Sequence, residues 1–363
     1  MATPSFFSLR IRDVRPETDA AVSIAFSVPE DLREAYRFTQ GQFLTLRANV
    51  GDEELRRSYS ICAAVPEYER SGELRVGIKR VINGRFSNWA NDHLRAGQSI
   101  DVMTPDGRFF TPLNPQASRH YVGFAGGSGI TPMLSLIATT LAVEPASRFT
   151  LIYGNRDLRS IMFIEALEGL KNRFMSRFRL IHVLAEEPQD VELFNGVLDQ
   201  TKCRDLIEAL VPATSIDHAF ICGPEPMMNA AEAALLAAGM PAASLSIERF
   251  GTPNPSGAPP HPTVLDESAP GSEVTIIVDG KTRRIHVPFD GPAILDAGLL
   301  KGASLPYACK GGVCCTCRAR VLEGQVRMDR NFTLEQWELD KGFVLTCQSH
   351  PITDTVTVSY DER

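Results

Sequence analysis

Cys309, Cys314 and Cys317 stand at C-x4-C-x2-C spacing, and Cys347 follows further along the chain. This is the ligand spacing of a plant-type [2Fe-2S] cluster. Four thiolates can hold two irons only if a loop bends around them, and Gly311 and Gly312 allow the backbone to turn its N–H groups toward sulfur. The other uses of such cysteines fit less well. Zinc sites usually carry two close C-x2-C units, and a disulfide set is not expected in a chain of the reducing cytoplasm. The spacing therefore predicts a small module wrapped around a cluster, with Cys309, Cys314, Cys317 and Cys347 as the metal ligands.

At 363 residues and 44% hydrophobic content the chain is far longer than that module needs, and it can bury two or three domain cores. A formal net charge of -7 and the lack of a basic run argue against a nucleic-acid partner. The opening MATPSFFSLRIRDV has no apolar signal core, and no apolar stretch is long enough to span a bilayer. The expectation is thus a cytoplasmic chain with no membrane role. Cys62, Cys203, Cys222 and Cys315 show no disulfide spacing.

The segment 251–271, GTPNPSGAPPHPTVLDESAPG, is rich in proline and glycine and cannot pack, so it reads as an interdomain linker. After it, 272–363 is expected to form an α+β ferredoxin module of the β-grasp kind. A hairpin turns at Asp279-Gly280, and a short helix around Ile294, Leu295 and Leu299 precedes the cysteine loop. Residues 1–113 read as an antiparallel β-barrel, because Leu74, Val76 and Ile78 face one way while Arg75, Gly77 and Lys79 face the other. Residues 114–250 alternate strands (Tyr121 to Ala125, Phe149 to Tyr153, Ala219 to Ile221) with helical stretches. This is the layout of an α/β parallel-sheet nucleotide domain.

In the first region LRRSYSIC sets Arg57, Tyr59 and Ser60 on one extended strand, with Arg57 and Tyr59 on one face. The turn Gly84-Arg85-Phe86-Ser87 comes after Lys79, and a helix opening at Ser87 would offer free N–H groups to phosphate. In the second region Gly126-Gly127-Ser128-Gly129-Ile130-Thr131-Pro132 follows a strand, with Thr131 as the expected helix cap and Pro132 in the first turn. Pro132 stands where a G-x-G-x-x-G fingerprint would have its third glycine. Cys222-Gly223-Pro224 closes a later strand. Taken singly, a strand tyrosine is ordinary packing and a buried cysteine an ordinary small hydrophobe.

In order, these motifs resemble the ferredoxin-NADP reductase family with a plant-type ferredoxin fused at the C-terminus, over almost the whole chain. The resemblance implies FAD, with Arg57 on its pyrophosphate, Tyr59 against the isoalloxazine and Ser60 near N5. Lys79 and Gly84 to Ser87 join the cofactor contacts. It places Gly127, Ser128, Gly129 and Thr131 on the dinucleotide, Cys222, Gly223 and Pro224 beside the nicotinamide, and Phe250 near the second flavin face unless it fills core. Cys315 falls where such ferredoxin modules carry a small residue. The strings LRRSYSIC, YGNR, FICGPEPMM, IERF and YACKGGVC narrow the resemblance to reductases that supply electrons to a separate di-iron oxygenase in aerobic aromatic catabolism. The partners implied are that oxygenase's subunits.

Nothing in the chain itself looks like an oxygenase, since its seven histidines are scattered and no Glu-x-x-His pairs occur on candidate helices. The expected route is NADPH to FAD to [2Fe-2S] to partner, because a nicotinamide gives two electrons at once and a cluster takes one. NADPH is expected over NADH from Arg156, with Arg159 assisting, although Asp157 lies beside them. The alternatives are the same electron chain serving another aromatic or steroid hydroxylase, and a redox-sensing regulator. A regulator would show little NADPH-dependent turnover of an artificial acceptor.

Overall fold

A computed structural model describes residues 5–251, 265–266 and 268–362. Most of the expected linker lies outside the described residues. The chain forms two compact units, one built from 6–55 with 59–249 and the other chiefly from 250 onward.

The first unit carries two sheets. Six antiparallel strands, β1 (Phe6–Thr18), β2 (Ala21–Ser27), β3 (Phe43–Val50), β4 (Glu53–Ser60), β5 (Glu73–Lys79) and β6 (Ser99–Met103), run in the order β4-β3-β6-β1-β2-β5. The two edge strands approach each other at one bridge, Ile61 to Val76, reinforced by Cys62 N–H donating to Arg75 C=O at 2.9 Å. The alternation read from β5 holds, with Leu74, Val76 and Ile78 fully buried among Leu9, Ile24, Phe26 and Leu46. Helices α1 (Val65–Ser71) and α2 (Arg85–His93) flank this barrel.

The second sheet is wholly parallel, in the order β11-β10-β7-β8-β9, from β7 (His120–Gly126), β8 (Arg148–Asn155), β9 (Phe178–Leu184), β10 (His218–Cys222) and β11 (Leu245–Glu248). Its connections carry α3 (Ile130–Val143), α4 (Ile164–Arg173), α5 (Gln200–Leu210) and α6 (Glu225–Ala237). Every residue of β7 is buried, which explains why it reads as a continuous apolar run rather than an alternating one. Leu136, Ile137 and Leu141 of α3 join Tyr121, Phe149 and Phe220 in one core, each aliphatic side chain contributing about 1.5–3 kcal/mol by burial.

In the other unit β12 (Gly271–Val278) and β13 (Lys281–Pro288) form the expected hairpin. Asp279 and Gly280 take the positive φ angles, 49° and 69°, that its two-residue turn requires. Helix α7 (Ile294–Leu300) follows, then β14 (Arg318–Glu323), β15 (Val326–Met328), α8 (Gln336–Asp340), β16 (Phe343–Leu345), β17 (Ser349–Pro351) and β18 (Thr355–Ser359). The main sheet has the mixed order β13-β12-β18-β14-β16, and β15 pairs with β17.

Candidate active site and thiol pairs

Strand β4 ends at Ser60, whose side chain is buried and whose hydroxyl donates to Glu248 Oε2 at 3.1 Å. Glu248 is the last residue of β11 and stands in register with Cys222, the last residue of β10. One carboxyl thus links the barrel strand to the strand that carries the C-G-P turn. Glu248 is partly exposed as a residue, yet its carboxyl is enclosed by protein atoms. That enclosure pushes its pKa up to about 8, against a smaller lowering by the Ser60 hydroxyl. Cys222 is fully buried, and burial, aided by the nearby Glu248, holds its thiol well above the usual range. Neither group ionises readily at neutral pH, so the end of these strands can present a proton-bearing carboxyl beside a neutral thiol.

Sequence reasoning included Glu248 only within the string IERF and gave it no role. The signal available was alternation: Leu245 and Ile247 share one side of β11, which leaves Ser246 and Glu248 on the other.

A second cluster forms on the glycine loop. Gly127 takes φ +50°, and a Cβ added to it would lie 3.3 Å from Lys79 Nζ. Burial lowers the Lys79 pKa, and the nearby Arg156 guanidinium lowers it further. Lys79 therefore stands against the glycine loop with the Arg156 guanidinium close enough to act on it, an arrangement suited to phosphate. Tyr153 supports the loop from below, its hydroxyl donating to Gly127 C=O at 2.9 Å. Gly129 is needed for another reason: an added Cβ would stand 2.0 Å from the Cys222 carbonyl oxygen. Arg156 also contacts carboxylates, Asp157 at 3.2 Å and Glu186 at 3.6 Å.

Several local expectations change. A 3-10 turn at Gly127–Gly129 runs directly into α3, so Gly129 rather than Thr131 precedes the helix, and Thr131 donates its hydroxyl to Ser128 C=O at 2.9 Å. Likewise α2 opens at Arg85 after Gly84, not at Ser87, because the Ser87 hydroxyl folds back to accept Val81 N–H at 3.2 Å. Arg85 pairs with Glu53. Phe86 is core, and Tyr59 packs on it at 5.9 Å between ring centroids. Arg57 is exposed and donates to the Arg56 carbonyl. Phe250 lies two residues past β11 and is 48% exposed, so it does not fill core.

In the other unit all four predicted ligands are free thiols, and they form two pairs. Cys309 is held down to about 6 by a hydrogen bond from the Cys314 thiol, with the N–H groups of Gly311, Val313 and Cys314 adding to the effect. The same pairing raises Cys314, and Cys317 is raised by its bond with Cys347. No three His, Cys, Asp or Glu side chains among the described residues converge on one ion. Two thiol pairs suit two irons better than one, and the donor set fits a [2Fe-2S] group.

Within the loop Lys310, Gly312 and Cys315 take positive φ, whereas Gly311 does not and instead donates its N–H to Cys309 Sγ at 3.3 Å. The Cys315 thiol bonds with Thr333 Oγ1 at 3.2 Å. A buried relay backs the second pair: Thr346 donates to Cys317 C=O at 2.9 Å, which leaves Tyr360 to donate to Thr346 Oγ1 at 2.7 Å. Sequence reasoning missed Thr346, Tyr360 and Gln348.

A barrel whose strand end meets a parallel nucleotide sheet, together with a module bearing two thiol pairs, defines a flavin and iron-sulfur oxidoreductase. Family models agree: an oxidoreductase FAD-binding domain matches residues 18–111, an oxidoreductase NAD-binding domain 124–233, and a 2Fe-2S iron-sulfur cluster binding domain 276–351. The chain is 47% identical over 361 residues to a subunit of the 1,2-phenylacetyl-CoA epoxidase of Escherichia coli, covering 99% of both chains. It is 36% identical over 365 residues to the ferredoxin reductase component of 3-ketosteroid-9-alpha-monooxygenase of Mycobacterium tuberculosis, covering 98% of this chain and 96% of that one. Phthalate dioxygenase reductase, at 22% identity, shares the fold with a TM-score of 0.59 over 98% of each chain. An intact type IV self-sufficient cytochrome P450 monooxygenase, at 21% identity, matches 97% of this chain and 41% of its own with a TM-score of 0.67.

The chain belongs to the family of that 1,2-phenylacetyl-CoA epoxidase subunit, the reductase components of multicomponent oxygenases. That places it among working oxidoreductases rather than redox-sensing regulators. No helix among the described residues is long and apolar enough to cross a membrane.

Proposed function

We propose that this chain takes electrons from NADPH and delivers them to the oxygenase subunits of a di-iron enzyme that epoxidises phenylacetyl-CoA in aerobic phenylacetate degradation. The observation that carries the redox half is the meeting of Ser60, Glu248 and Cys222, which brings the end of the barrel strand to the end of the nucleotide strand. The substrate half rests on the 47% identity across the full length of the epoxidase subunit. Bound FAD would accept an electron pair and release electrons singly.

In this reading Arg57, the Arg85 to Ser87 turn and Tyr59 hold the flavin. Ser60, fixed by Glu248, faces its reactive edge, and the buried Cys222 with Gly223 and Pro224 orients the nicotinamide. Lys79, Gly127, Ser128, Gly129 and Thr131 form the pyrophosphate cradle, and Phe250 covers exposed flavin surface. The two thiol pairs hold the cluster. Eight cysteines outside any disulfide support a reducing, cytoplasmic setting.

Reconstitution tests both halves. The purified chain, mixed with the oxygenase subunits of a phenylacetyl-CoA epoxidase, is expected to couple NADPH oxidation to product. Coupling to a steroid hydroxylase instead would favour the second reading, which the 36% identity to the ketosteroid reductase component supports. Because Asp157 and Glu186 compete for Arg156, Arg156→Ala is expected to lose only about tenfold in kcat/KM with NADPH, and none with NADH. Equal losses with both, or an NADH preference in the parent, would remove Arg156 from the site.

A further inference from the structure

Gln348 immediately follows the fourth thiol, and its amide bridges both sides of the cysteine site. One N–H of Nε2 donates to the Lys310 carbonyl at 3.0 Å, and the other is shared between the Cys347 carbonyl at 2.8 Å and Cys347 Sγ at 3.7 Å. Its stem packs on the loop, for a Cβ added to Gly312 would meet Gln348 Cγ at 3.3 Å. Its backbone carbonyl accepts the N–H of Asp329 at 2.8 Å, and Phe332 N–H donates to Gly312 C=O at 3.2 Å. Gln348 is therefore a rivet between the cysteine loop, the 3-10 turn that carries Cys347 and the segment before α8. At Cys309 the donors to sulfur other than the Cys314 thiol are backbone N–H groups, fixed by the fold. At Cys347 a donor is supplied by a side chain.

We propose that Gln348 is a positioning residue that sets the reduction potential of the iron-sulfur group, by fixing Cys347 against the Lys310 loop and directing an N–H dipole at its sulfur. The inference rests on the reading of the four thiols as cluster ligands. Reduction adds one electron, part of whose charge falls on sulfur, and an N–H pointed at that sulfur stabilises the reduced form. Removing the donor lowers the potential, and placing a carboxylate there lowers it further.

The test uses the full chain with its flavin and cluster. The cluster would be titrated with dithionite as one-electron donor in the presence of mediator dyes, following visible absorption and the electron paramagnetic resonance of the reduced form. Gln348→Met keeps the volume without a donor, and Gln348→Glu is isosteric with a carboxylate in place of the amide. Gln325→Met, at an exposed position, is the control. Both Gln348 variants are expected to retain two irons and two sulfides and to shift their resonance. Their potentials fall, in Gln348→Glu by an amount equivalent to on the order of tenfold weaker electron affinity, about 59 mV for a one-electron couple.

Potentials within twofold of the parent in electron affinity for both variants overturn the proposal. So does failure of both variants to assemble a cluster while keeping flavin, which would make Gln348 a folding residue only. Zinc without sulfide in the parent would sink the cluster reading itself, a separate result.

Discussion

At the residue scale Glu248 is the group whose chemistry is most displaced from its ordinary behaviour. With its pKa raised to about 8, it is neutral at pH 7 and ionises only above that value. In the proposed site flavin reduction adds negative charge beside Glu248, which an ionised carboxylate disfavours. The rate of flavin reduction by NADPH in a rapid-mixing experiment is therefore expected to fall as pH rises through about 8, and Glu248→Gln flattens this limb. The linkage has a definite sign. A carboxyl whose folded pKa is raised stabilises the fold fully below its unfolded value near 4.5 and loses that contribution as pH rises through about 8. Glu248→Gln is thus expected to gain stability relative to the parent between pH 5 and pH 9 in denaturant titrations. An unchanged pH profile would show that Glu248 merely packs.

At the scale of elements, the loop Gly126–Thr131 and the turn Cys222–Pro224 interlock through backbone. Gly129→Ala would drive a methyl into the Cys222 carbonyl and is expected to destabilise by roughly 3 kcal/mol. Gly169→Ala, inside α4 with nothing within 4 Å of the new methyl, is expected to stabilise by up to about 1 kcal/mol. Thermal unfolding of the two variants checks both signs. Strands, hairpin and helices were legible in the sequence because periodicity and turn chemistry are local, as at β5 and Asp279-Gly280. Helix starts were less legible, since the Ser87 hydroxyl chose Val81 and the glycine loop entered α3 without an extended cap. The cysteine loop was legible from its spacing, and its four thiols stand as two pairs. Glu248 was not, because its meaning comes from a partner 188 positions away, and no local pattern encodes that distance.

At the scale of the whole molecule the chain combines three kinds of sheet: an antiparallel barrel, a fully parallel sheet and a small mixed one. The barrel is closed at a single bridge, Ile61 to Val76, directly after the strand that carries Tyr59 and Ser60. A ring fastened at one point has a weakest place, and here it adjoins the strand proposed to hold the flavin. The Cys62 amide, whose bond to Arg75 C=O reinforces that seam, is expected to exchange with deuterium sooner than the amides of β2, which is paired on both sides. Bound flavin is expected to slow it. Equal exchange with and without flavin would mean that the seam does not sense the cofactor. The barrel then resembles a clasp that its own cargo keeps shut, so that retaining the cofactor and retaining the fold become one kinetic property.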